Sequence, residues 1–247
     1  MRGVSLLLWW EGGSKGDRVK ARGLGEGENR EKGRILAAEQ RERVAEEQQG
    51  RGFAPPLADP APLGLAAFAL TTFAFSIANA GLVPEDAIRL YIPLALVYGG
   101  VAQLLAGLFE FRNNNVFGST GFTSYGAFWI ALGILELFAR QFGIAEPVVP
   151  IAAAWFFLSW AIFTAIMWIG SWGVHTALGV TFTLLLATFV LLALAFFGGP
   201  NPAILHIGGY VGIVTAAAAW YIVAADVLNT VYGRTILPLG PAAGGAS

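Results

Sequence analysis

Between Pro62 and Val83 the chain carries no charged side chain. As a helix, a stretch of that length spans about 33 Å, enough to cross a bilayer. In lipid every backbone N–H and C=O must be satisfied within the element, which leaves a helix as the form this stretch can take. The stretch also begins abruptly. Pro62 suits the first helical position, because its missing N–H would be unpaired there anyway. Asp59 and Pro60 stand just upstream, and a proline pushes its predecessor out of the helical region. The positive end of the helix dipole is thereby fixed in place, with bare N–H groups able to receive a carboxylate. The same pattern would also serve as a plain helix start at the membrane surface.

The rest of the chain repeats the theme. Residues 1–52 hold 11 of the 15 Lys and Arg and 9 of the 16 acids, leaving four basic and seven acidic side chains for the other 195 residues. A domain that poor in charge belongs in a bilayer. After the first span, V-P-E-D-A-I-R makes a polar loop, and further spans are expected over 90–111, 119–138, 148–169, 176–197 and 203–228. The breaks between them are polar or rich in Gly and Pro, such as R-N-N-N-V-F-G and F-G-G-P-N-P. The predicted fold class is therefore an all-α membrane protein of six transmembrane helices. Its domain runs over residues 53–240, between a charged N-terminal tail (1–52) and a short C-terminal tail (241–247).

Six spans place both termini on one side. Arg112 and Arg234 would balance Arg89 and Arg140 across the membrane, and the basic tail tips the count toward cytoplasmic termini in the cell (plasma or inner) membrane. Trp155, Trp168 and Trp172 are expected as interfacial anchors. The tail has too little apolar surface to fold alone and is expected to be disordered, apart from a short exposed helix within 35–49. Leu6–Trp10 is too short for a signal-peptide core, and Glu11 follows it at once.

Polar residues inside spans cost free energy unless they find partners or face a water-filled path. Thr71, Thr72, Ser76 and Asn79 lie in the first span, Gln103 in the second, and Thr123, Ser124 and Tyr125 in the third. Thr72, Asn79, Gln103 and Thr123 are the candidate polar lining of a pore, with helix-to-helix hydrogen bonding as the competing role. Glu110 reads as a partner for an arginine or a helix end, and Asp226 similarly near Arg234. Gly99, Gly100, Ala102, Ala106, Gly107 and the alanines at 216–219 would let helices approach closely.

Several function classes are excluded or disfavoured. With no cysteine there is no disulfide framework, thiol nucleophile or thiolate metal site. His175 and His206 have no acid at ligand spacing, so no metal and no cofactor is expected. No nucleophile elbow or nucleotide-binding loop occurs, which argues against an enzyme. Nothing points to nucleic acid as a partner. Asn201-Pro202-Ala203 invites comparison with paired N-P-A half-helices, but the second copy reads Asp59-Pro60-Ala61 and neither sits on a short half-helix between spans.

Four stretches read together carry a resemblance. D-P-A-P-L-G-L (59–65), Y-G-G-V-A-Q-L-L-A-G-L-F-E (98–110), F-G-S-T-G-F-T-S-Y-G-A-F-W (117–129) and Y-G-R-T-I-L-P-L-G (232–240) resemble the acetate uptake transporter family, whose bacterial members are the succinate–acetate permeases. The resemblance covers residues 58–240. It implies a six-helix protomer in a homo-hexamer, each protomer passing acetate and related small carboxylates, succinate among them, with proton coupling left open. It further implies a pore narrowed by Phe68, Tyr125 and a fifth-span leucine, for which Leu185 is the placement and Leu184 and Leu186 are rivals. The entrance motif maps to Asp59, Pro60, Ala61, Pro62, Leu63 and Gly64, and Asp59 stands where the family has asparagine.

The residues fit that implication. Four basic side chains in 195 residues cannot build an arginine ring, so a carboxylate would be held by helix-end N–H groups and neutral donors. Weak donors suit a substrate that must leave as readily as it enters, and an apolar narrowing resists hydrated ions. A water or polar-solute channel and a non-transporting sensor remain as alternatives from other classes.

Overall fold

The structure, a computed structural model, describes residues 31–43, 58–84, 91–138, 143, 145 and 148–243. The chain divides into two units, Met1–Leu57 and Ala58–Ser247. In the first unit residues 31–43 form an exposed helix, α1. The second half of the helix expected over 35–49 and the disorder expected for the remaining tail lie outside the described residues.

Among its described residues, the regular elements of the second unit are all helices. It comprises α2 (Ala61–Asn79), α3 (Tyr91–Leu96), a π-helical turn (Val97–Ala102), α4 (Gln103–Arg112), α5 (Val116–Phe138), α6 (Val149–Ser171), α7 (Thr176–Phe196) and α8 (Pro202–Tyr232). The segment from α3 through α4 is one continuous span, so six described helical spans are long and apolar enough to cross a membrane. The protein is thus a multi-pass all-α membrane protein.

Two span ends depart by a full turn from the sequence reading. α2 stops at Asn79 rather than Val83. Gly81 takes φ 70°, where a Cβ would be strained, and the Gly81 and Leu82 N–H groups turn back to the Ala78 and Ile77 carbonyls at 3.0 and 3.1 Å. That is a Schellman ending. α8 runs on past Leu228 to Tyr232, because Asn229 does not break it. Its amide instead binds the returning C-terminal segment, accepting the N–H groups of Ile236 (2.6 Å) and Leu237 (3.1 Å) and donating to Leu237 O (2.9 Å).

That segment is a strap rather than a loose tail. Leu239 O and Pro241 O accept the N–H groups of Ala177 and Thr176 at 2.9 and 3.0 Å, and Ala243 N–H donates to Trp172 O at 2.7 Å. The first N–H groups of α7, which no helical carbonyl can satisfy, are met in this way. Residues through Ala243 therefore pack on the bundle, while 244–247 lie outside the described residues.

Close packing rests on small residues, as expected where lipid supplies no hydrophobic drive. A Cβ on Gly126 of α5 would lie 2.7 Å from Leu104 N of α4, and one on Gly209 of α8 would strike the α2 backbone at Ala80. Ala106, Ala216 and Ala219 are fully buried. Of the three expected tryptophan anchors, Trp155 faces outward. Trp172 instead lies where a Cβ on Gly179 would be, and Trp168 Nε1 donates to Thr183 Oγ1 at 2.7 Å. Those two tie α6 to α7.

Candidate functional site

Helices α2, α5 and α7 each present one face inward at two levels, and a cavity opens at either end of that face. The first lies at the N-terminal ends of α2, α5 and α7 and has a volume of about 110 Å³. That is room for several water-sized molecules. Ala61, Phe68, Gln103, Tyr125 and Leu185 line it. The second, about 370 Å³, lies at the opposite ends of the same helices, with Phe75, Asn79, Phe157 and Leu192 in its wall. Among the described residues, no lysine or arginine lines either one.

Phe68 and Tyr125 meet at the inner end of the first cavity, ring centroids 6.0 Å apart. The Tyr125 hydroxyl shares a hydrogen bond of 2.9 Å with Thr164 Oγ1, which fixes the ring against α6. Leu185 is 4% exposed and lines the same cavity, whereas Leu184 and Leu186 are only partly buried and do not. Helical periodicity then brings in what the sequence reading missed. Thr181 and Phe182 lie one turn before Leu185 on the same face and also line the cavity. The Thr181 hydroxyl is spent on Ala177 O at 2.8 Å.

Between the two cavities the inward faces carry Thr72, Phe128 and Phe189, each at most 4% exposed. Phe128 and Phe189 meet edge to face at 5.3 Å, and Phe157 stands 6.5 Å from Phe189. Seven residues separate Phe68 from Phe75, so this septum is about 10 Å thick. Thr72 belongs to the septum rather than to either cavity, and its hydroxyl has no hydrogen-bond partner. Thr123 departs from the expected lining altogether. It packs at the α4–α5 contact, where a Cβ on Gly107 would strike its backbone and hydroxyl. Asn79 does line the second cavity, with Nδ2 unpartnered, and Gln103 the first, with Oε1 unpartnered.

The entrance motif behaves differently from its sequence reading. α2 begins at Ala61, so Pro62 takes the second helical position. The first N–H is not bare: Ala61 N donates to Asp59 Oδ1 at 2.9 Å. Gly64 N already bonds Pro60 O at 3.1 Å. Pro60 is buried, Leu63 faces outward, and Gly64 lets the Phe122 ring lie against the backbone. Asn201 caps α8 in the same manner, its Oδ1 accepting from Ala203 N at 3.1 Å. The two X-Pro-Ala copies thus open helices at opposite ends of the bundle and never meet at mid-membrane.

Three groups at the first cavity were read otherwise. Glu110 is 1% exposed and accepts from Asn115 Nδ2 at 3.0 Å, while Arg112 is exposed. Asp226 is partly buried and lines the cavity with Glu110, and Asp59 is near enough for its charge to act on both. His175 also lines it and caps α7, its Nδ1 accepting Leu178 N–H at 3.1 Å. Burial holds this imidazole below the ordinary histidine range.

A six-span helical bundle with a cavity at each end and an aromatic septum between them is a membrane protein shaped for solute passage. The chain belongs to the GPR1/FUN34/yaaH family, which matches it over residues 50–239. It is 39% identical over 185 residues to the succinate-acetate/proton symporter SatP of Escherichia coli strain K12, covering 74% of this chain and 96% of that protein. Acetate permease A of Emericella nidulans is 37% identical, over 74% of this chain and 65% of that protein. A solved structure of the bacterial acetate channel SatP matches with a TM-score of 0.69 at 37% identity, over 74% of this chain and 99% of that chain.

Proposed function

We propose that this protein carries acetate and related small carboxylates, succinate among them, across the cell (plasma or inner) membrane, with both termini in the cytoplasm. Each protomer of a homo-hexamer would hold its own path, running from the first cavity through the Phe68–Tyr125–Leu185 narrowing and the septum to the second cavity. The observation that carries the reading is the convergence of those three side chains from α2, α5 and α7 on one cavity whose described lining holds no lysine or arginine. Such a lining does not trap an anion, and its apolar narrowing resists hydrated ions. The relatives named as an acetate permease and a succinate-acetate/proton symporter support the substrate class.

The test is labelled-acetate uptake into proteoliposomes, with and without an inward pH gradient. Saturable uptake that succinate competes is expected, and stimulation by the gradient would mark proton coupling. Uptake no faster than in protein-free vesicles would overturn the reading, and glycerol or water flux without acetate flux would replace it with a polar-solute channel.

A further inference from the structure

Glu110 closes α4 and sits almost wholly buried beside the first cavity. One carboxyl oxygen is held: Asn115 Nδ2 donates to Oε2, and Asn115 Oδ1 accepts Gly118 N–H at 3.0 Å, which fixes the amide's direction. The other oxygen, Oε1, has no hydrogen-bond partner. Room for it comes from Gly118, where a Cβ would lie 2.8 Å from Oε1. Gln103 lies two turns earlier on the same helix, equally buried, with its own Oε1 unpartnered. Two buried side-chain acceptors therefore border one cavity with nothing donating to them.

No charged or titratable neighbour donates to either oxygen, although His175, with Nδ1 accepting, carries its proton on Nε2. Asp59 precedes α2, Asp226 comes from α8, and His175 at the head of α7 uses Nδ1 as an acceptor. Arg112, on the same helix, is exposed. An ionised substrate carboxylate arriving here would meet the chain's own carboxyl groups in a low-dielectric site. Two carboxyl groups at hydrogen-bond distance cannot both ionise, and they share one proton.

We infer that Glu110 is the group that meets the substrate carboxyl at the cavity, the two carboxyls sharing one proton taken from solvent. The inference rests on the transport reading and adds to it the residue at which the proton is held. The substrate and its proton then arrive together, as a carboxylate with a proton or as the undissociated acid, which are the same composition.

The experiment uses the full chain, purified in detergent, and acetate as the probe. Calorimetric binding near pH 7 in two buffers of different protonation heat counts the protons taken up. The wild type should take up about one proton per acetate, and Glu110→Gln, which keeps an acceptor for Asn115, should take up close to none. Glu110→Gln that still takes up about one proton overturns the assignment, as does loss of the proton in Asp226→Asn instead. Gly118→Ala guards against a variant that does not fold. It displaces the flexible ends of Glu110 and Asn115 without removing them, and should weaken acetate binding about fivefold, roughly 1 kcal/mol. Unchanged affinity in folded Gly118→Ala also overturns the assignment. A wild type that binds no acetate refutes the transport reading itself, which separates the two failures.

Discussion

Asp59 Oδ1 accepts the N–H of Ala61 at 2.9 Å, so the first donor of α2 is occupied by the chain's own carboxylate. Ala61 lines the first cavity, and a substrate carboxylate approaching this helix end competes with Asp59 for the same donor and the same dipole. Asp59→Asn keeps the accepting oxygen and removes the charge. A charge at an exposed helix start is worth about 0.3–1 kcal/mol, so the apparent acetate KM should fall about two- to fivefold. The gain should shrink toward nothing at high ionic strength, where the Debye length contracts to a few ångströms. Uptake kinetics at two salt concentrations check this, and an unchanged or higher KM refutes it.

His175 predicts an acid-sensitive corner. Its folded-state pKa lies below the ordinary value, so as pH falls the unfolded chain takes the proton first. Stability should therefore drop as pH falls through the ordinary histidine range near 6.5 and level off once the folded imidazole is also protonated. At that point Nδ1 no longer accepts Leu178 N–H, and a lost cap costs about 0.5–2 kcal/mol. His175→Asn keeps a capping acceptor that does not titrate. Thermal unfolding in detergent at neutral and mildly acidic pH should show a smaller acid-induced fall in Tm for this variant than for the wild type.

The C-terminal strap should come loose when its anchor is removed. Asn229→Ala deletes the three hydrogen bonds that hold Ile236 and Leu237. A net loss of about 1–3 kcal/mol is expected, since each such bond contributes about 0.5–1.5 kcal/mol and part of the freed backbone reaches solvent. Limited proteolysis should then cut within 233–243 faster than in the wild type. Equal cutting rates would show that Leu239 and Pro241 hold the strap without Asn229.

What the sequence could and could not reveal divides along local and non-local lines. Span existence follows from charge-poor runs of membrane length, and those were legible from Pro62 onward. Helix ends set by local chemistry came close, whereas α8 ran longer because Asn229 serves a segment seven or eight residues away. Leu185 could not be told from Leu184 or Leu186 by motif, because only the packing of α7 against α6 and α8 fixes which of its faces looks inward. Glu110 read as a partner for an arginine or a helix end, since the side chain that meets it, Asn115, lies across a turn. Nor could the chain alone show that Gly118 leaves space for that carboxyl. Thr123 looked like pore lining by polarity, and the close approach of Gly107 turned it to the helix contact.

The N-terminal segment should be dispensable. The membrane unit begins at Ala58, and the family match begins at residue 50. A chain lacking residues 1–52 should insert, assemble and take up acetate as the full chain does. Loss of insertion or uptake in that variant would show that the segment serves the bundle.

The sharpest test concerns the narrowing. Phe68 and Leu185 face the same cavity as Tyr125, yet both are buried well enough to be ordinary core residues. If they only pack, Phe68→Ala should lower stability by about 3–5 kcal/mol and leave the preference among carboxylates alone. If they form the narrowing, the cavity they open adjoins the path itself, and longer solutes should gain more than acetate does. The expected outcome is a folded Phe68→Ala or Leu185→Ala protein whose succinate-to-acetate uptake ratio rises several-fold. Lactate should shift in the same direction, because it too is bulkier than acetate. Tyr125→Phe supplies the control. It keeps the ring and removes only the hydroxyl that meets Thr164, so it should cost about 1–3 kcal/mol of stability with little change in the ratio. Uptake ratios measured in proteoliposomes matched for inserted protein decide the matter. A ratio unchanged in both folded alanine variants would place selectivity elsewhere, with the Phe128–Phe189 septum next in line.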